Sequence, residues 1–152
     1  MARWHSMVLV MVPSFALAQE SDPWNRSHYV DVRMTSAFLD AKYSYAVMDF
    51  GKIGVVVSPY DRPSIGGTFS IHPFKSLFVE GQLGEIAYSE SATDSPIYKA
   101  RYFWGVYIGG MFPLTSRYQL TIIAGQRVIH VEGGGSAIKD AVAGVGLGVS
   151  FE

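Results

Sequence analysis

Between Lys99 and Phe112 the sequence alternates strictly, and the alternation limits what the stretch can become. One parity holds Ala100, Tyr102, Trp104, Val106, Ile108, Gly110 and Phe112. The other holds Lys99, Arg101, Phe103, Gly105, Tyr107, Gly109 and Met111. Successive side chains of a strand point to opposite faces. The first set therefore makes an apolar face with aromatics at both ends, and the second makes a polar or small one.

The same period recurs along the chain. Tyr118, Leu120, Ile122 and Ala124 oppose Gln119, Thr121, Gly125 and Arg127, which share their face with Ile123. Leu77, Val79, Gly81 and Leu83 oppose Phe78, Glu80, Gln82 and Gly84; Ile65, Gly67, Phe69 and Ile71 oppose Gly66, Thr68, Ser70 and His72. At the C-terminus Ala143, Val145, Leu147, Val149 and Phe151 alternate with Gly144, Gly146, Gly148, Ser150 and Glu152. Pro73–Ser76 and Pro113–Arg117 read as short turns, while Ser89–Tyr98 and Gly133–Asp140 read as longer polar loops. Short turns at one end and long loops at the other are the pattern of a transmembrane β-barrel, with the short ones periplasmic.

From His28 to Pro59 the reading divides. Tyr29, Asp31, Arg33 and Thr35 alternate with Val30, Val32, Met34 and Ser36. Tyr43, Tyr45 and Val47 oppose Lys42, Ser44 and Ala46, and Ile53, Val55 and Val57 follow a turn at Asp49–Lys52. Three strands here give eight in all, the count adopted; one long irregular strand gives six. The fold class expected is all-β, an antiparallel up-and-down transmembrane β-barrel of eight strands. A soluble sandwich or lipocalin-like barrel also shows period two, but with the apolar parity inward.

The N-terminus points to export. Arg3 leads an apolar run from Met7 to Leu17, and Ala16-Leu17-Ala18 offers a small-x-small cleavage site before Gln19, as in a secretory signal peptide. The run falls short of the roughly 20 apolar residues that cross a bilayer as a helix, and Pro13 interrupts it; an N-terminal anchor or buried helix is the competing reading. The expected organisation is a leader over 1–18, a short segment over 19–27 and a barrel over 28–152. Localisation to the bacterial outer membrane follows from leader and barrel together.

Composition agrees. Charged residues make up 16% of the chain, against about a quarter in soluble domains, and aromatics reach 14% with 16 glycines. Twelve basic and 13 acidic residues leave a net charge of -1, with no basic field for nucleic acid. The absence of cysteine removes disulfides and thiolate metal sites. Gly133–Gly135 lacks the Lys-Ser/Thr of a phosphate loop, and the four histidines have no ligand spacing. No cofactor or metal is expected.

The stretch from Ile65 to Glu152 resembles the small OmpA/OmpX-type outer-membrane barrels. The likeness rests on GGTFSIHPFKSLFVEGQLG, YFWGVYIGGMFPLTSRYQLTIIAGQ and AVAGVGLGVSFE. It implies hairpins with short periplasmic turns at the Pro-containing positions. Members usually end on an aromatic that the outer-membrane insertion machinery is thought to read; here Phe151 is penultimate and Glu152 follows. The alternative is a barrel of six strands plus a missing C-terminal hairpin.

Asp31, Arg33, Glu80, Gln82, Arg101, Gln119 and Arg127 share the inward parity. Charges within a narrow barrel must be paired or hydrated, so they are expected to form a network that plugs the lumen; a narrow porin-like path along the same residues is the alternative. Tyr102, Trp104, Phe112, Tyr118 and Phe151 are the expected interfacial girdle. An enzymatic reading, by resemblance to lipid A deacylases, would use His130 with Glu132 or Ser136, but Glu132 stands where that family's nucleophilic Ser would be. The leading expectation is a monomeric, non-enzymatic barrel contacting outer-membrane lipid and lipopolysaccharide.

Overall fold

Alternating sequence becomes strand wherever the chain is described. The computed structural model describes residues 26–59, 63–89, 98–130 and 137–152; the expected leader over 1–18 and residues 19–25 lie outside them. Eight strands follow in order: β1 (His28–Thr35), β2 (Leu39–Met48), β3 (Gly51–Ser58), β4 (Ser64–Phe74), β5 (Leu77–Ser89), β6 (Tyr98–Pro113), β7 (Tyr118–Ile129) and β8 (Ile138–Phe151). Each pairs antiparallel with its sequence neighbours, and β8 pairs with β1 from His28↔Phe151 to Thr35↔Gly144. The result is a closed all-β up-and-down barrel. The six-strand count fails because 28–59 supplies β1, β2 and β3. Closure leaves no unpaired sheet edge between first and last strands.

Three turn boundaries move, the first because β3 already begins at Gly51, which shortens the expected Asp49–Lys52 turn to 49–50. β4 runs on to Phe74 and β6 to Pro113, so the turns shrink to 75–76 and 114–117. Together with 49–50 they lie at one end, beside both ends of the barrel domain. The 36–38 connection lies at the other end, together with the ends of β3, β5 and β7 and the starts of β4, β6 and β8.

The apolar parity faces out around the whole circumference. Val32, Tyr43, Val55, Phe69, Leu83, Ile108, Ile122 and Leu147, one from each strand in turn, are all exposed. This inverts what a lipocalin-like barrel requires. Outward polar side chains (Glu85, Gln126 and Lys139) gather toward the loop end.

Inside, the reading of the second parity as polar or small needs correction. Phe78, Tyr107, Met111, Ile123 and Val142 form a buried cluster, and Ile86, Phe103 and Ile129 form another. An eight-stranded barrel has an interior just wide enough for side chains to fill, and polar groups alone do not fill it. Bulk is accommodated by pairing large residues with glycine. Phe78 faces Gly109, Tyr107 faces Gly125, and Phe103 faces Gly84. Along β8, Gly144, Gly146 and Gly148 each lie between a larger inward residue of β7 and one of β1. A Cβ at Gly109 would strike the Phe78 ring, and one at Gly148 would strike the Asp31 carboxylate.

Candidate functional site

The chemistry of the described chain concentrates in the lumen. Five cationic side chains (Arg33, Lys42, Lys52, Arg101 and Arg127) and three carboxylates (Asp31, Asp40 and Glu80) are buried there. Each reaches the interior because its position on its strand has inward parity. A charge removed from water costs several kcal/mol unless paired, so position alone does not explain their persistence. Their mutual geometry does.

Glu80 is the hub. Its Oε1 accepts from Arg33 Nη1 at 3.0 Å and from Gln82 Nε2 at 2.9 Å; its Oε2 accepts from Lys42 Nζ at 2.6 Å. Both carboxylate oxygens thus meet charged donors, the strong form of hydrogen bond. Arg33 reaches onward to Asp40 at 3.9 Å, and Asp40 to Arg127 at 4.0 Å. Ser58 Oγ donates to Asp40. Lys42 lies 3.9 Å from Asp31, which accepts from Thr121 Oγ1 at 3.2 Å and Gln119 Nε2 at 3.5 Å. The chain of contacts links β1, β2, β3, β5 and β7 across the interior.

Aromatic rings complete the packing. Lys52 Nζ sits 3.3 Å from the Tyr29 ring centroid, and the Arg127 guanidinium carbon sits 4.5 Å from that of Phe103. Arg127 Nε donates to the Tyr107 hydroxyl at 3.3 Å. The space between Tyr29, Asp31, Lys42, Ser44, Lys52 and Ser70 has no room for a water molecule. Below it, a vestibule of about 640 Å³ opens at the turn end beside Arg26, Asp49, His72 and Lys75.

Of the seven residues expected in the lumen, the structure places Asp31, Arg33, Glu80, Gln82, Gln119 and Arg127 in this connected set. Arg101 is buried as well, toward the loop end opposite Ile86. Asp40, Lys42 and Lys52 are the members that sequence reasoning did not single out. Lys42 carried a signal, since it opposes Tyr43 and Tyr45. Asp40 carried little, because only pairing shows that β2 starts before it.

The five expected girdle residues are all exposed on the outer wall. Phe112, Tyr118 and Phe151 lie toward the turn end; Tyr102 and Trp104 lie toward the loop end. Beside the first group, His28 stacks on Phe151 and its Nδ1 lies 2.7 Å from the Tyr43 hydroxyl. Beside the second, Trp104 Nε1 donates to His130 Nε2 at 3.1 Å, and Tyr102 stacks on the same imidazole. His130 is therefore engaged with two aromatics of the outer wall. Glu132 and Ser136 lie outside the described residues. Among the described residues, no group of three His, Cys, Asp or Glu could hold a metal ion.

No protein-family model and no curated protein sequence matches the chain. By structure it is similar to the N-terminal β-barrel domain of OprF from Pseudomonas aeruginosa, with a TM-score of 0.58 and 15% sequence identity. The match covers 82% of this chain and 96% of that domain. At that identity the likeness is one of fold. It agrees with the architecture that the resemblance to small outer-membrane barrels implied.

Proposed function

We propose that this chain is an integral outer-membrane barrel of structural and surface-interaction type, closed to ion flow by its own side chains. One observation carries the reading. The outward face is apolar around the full circumference while the charges are locked inside, the reverse of what water outside would select. Helices and closed barrels alone satisfy every backbone group in lipid, and the strands of this barrel run from 8 to 16 residues, bracketing the roughly 9–11 that cross a bilayer. In this reading the turn end faces the periplasm, and the 36–38, 59–63, 90–97 and 130–137 connections face lipopolysaccharide and the exterior. Export by the leader over 1–18 and recognition of β8 by the insertion machinery belong to the same reading. Catalysis does not, because His130 is held by Trp104 and Tyr102.

Single-channel recording on the refolded protein in planar bilayers tests the closed lumen. Quiet membranes with verified insertion are expected. Long-lived open channels would contradict the closed lumen and favour the porin-like alternative.

A further inference from the structure

Neither the charged network nor the apolar outer wall accounts for Phe38. It sits in the 36–38 connection between β1 and β2, where turns favour Gly, Pro, Asn, Asp and Ser. Its ring nevertheless turns inward. The centroid lies 3.5 Å from the guanidinium carbon of Arg127, which also faces the Phe103 ring. Phe38 packs on the buried cluster that includes Tyr107 and Val142.

The turn is built to hold the ring there. Thr35 Oγ1 accepts from the Phe38 N–H at 2.9 Å and the Ala37 N–H at 3.3 Å, and the Thr35 N–H donates to the Phe38 carbonyl at 2.9 Å. The turn is also tied to the closing strand. Ser36 N–H donates to the Ala143 carbonyl at 2.8 Å, and the Ala143 N–H donates to Ser36 Oγ at 3.2 Å. Gly144 permits this approach, since a Cβ there would collide with Thr35. A short, doubly anchored turn presenting one aromatic ring to a buried cation is more than a connection between strands.

We propose that Phe38 is a lid on the loop-end mouth of the lumen, seated on Arg127, and that lifting it opens the outermost part of the network to water. The proposal rests on the closed-lumen reading and names the element that covers Arg127 from the β1–β2 side. Cation–π contact with a desolvated guanidinium holds the lid, and the Thr35 hydrogen bonds set its angle.

Arginine modification tests it directly. The refolded protein in detergent micelles is treated with phenylglyoxal, and the rate at each arginine is read by peptide mass spectrometry. Phe38→Ala is expected to speed modification of Arg127 on the order of tenfold, the equivalent of one such contact, and Thr35→Val, which keeps the ring, by less. Arg33, deeper and held by Glu80, stays protected in every form. Arg127 equally protected in both variants, with the β circular-dichroism signal intact, would overturn the lid. So would Arg127 reacting as fast as exposed Arg117 in the unaltered protein. Rapid modification of Arg33 in all forms would instead refute the closed lumen, and the Arg127 comparison would still decide the lid.

Discussion

Arg33 on β1 and Glu80 on β5 meet at 3.0 Å with neither side chain exposed. In a closed ring of eight strands, β1 and β5 lie on opposite walls, four strands apart by either route. Their ion pair therefore spans the lumen's width. Lys42 from β2 occupies the other oxygen of the same carboxylate, so side chains from three strands meet across the interior at this level.

Removing the hub should expose how much depends on it. Glu80→Gln leaves Arg33 and Lys42 as buried cations without their shared partner. Breaking a buried ion pair in this way costs about 3–5 kcal/mol. Urea unfolding of the vesicle-inserted protein, followed by tryptophan fluorescence, should show a loss of that order. An unchanged midpoint would mean that the network is hydrated and adaptable.

The outer wall makes a second, depth-dependent prediction. Ile108 is 66% exposed in mid-strand, and Tyr118 is 58% exposed at the turn end. An arginine on the lipid face costs about 2–4 kcal/mol at the bilayer midplane and about 0–1 near the interface. Ile108→Arg should therefore lower bilayer stability far more than Tyr118→Arg. Equal costs in the two variants would argue against a membrane at this height.

How much of this was legible in the sequence depends on which physical rule fixes each residue. The outward face was readable because one rule, no charged side chain, holds along most of it, and Tyr102 through Phe112 obey it without interruption. The inward face answers to local fit instead. Phe78 and Phe103 fall on the parity read as polar or small, and only register shows Gly109 and Gly84 opposite them. Asp40 sits beside Arg33 by the β1–β2 register, but it reaches Arg127 on β7 only because the barrel closes. No spacing along the chain encodes that convergence.

Close approach of neighbouring backbone makes two chemically identical substitutions differ. A Cβ at Gly84 would collide with the backbone of Ile65 and Gly66, whereas one at Gly67 would meet nothing within 4 Å. Gly84→Val should cost about 1–3 kcal/mol by overpacking, and Gly67→Val should be neutral or mildly stabilising, since valine suits a strand. Parallel unfolding titrations of the two variants would compare them. A costly Gly67→Val would show that the outward position needs its glycine for a reason the barrel wall does not supply.

His130 offers a check on chemistry. With Nε2 of His130 accepting the Trp104 N–H, the protein is expected to leave lipid A acylation unchanged when expressed. Mass spectra of lipid A from cells with and without it would settle the matter, and a missing acyl chain that returns in a His130→Ala variant would reverse the assignment.

The claim beneath all of these is that hydrocarbon surrounds the barrel, and sedimentation of the chain beginning near Gln19 tests it most directly. Diluted from denaturant into buffer alone, it should aggregate; with detergent micelles or lipid vesicles it should fold and float with them. A folded, monodisperse monomer in buffer without amphiphile would contradict the account.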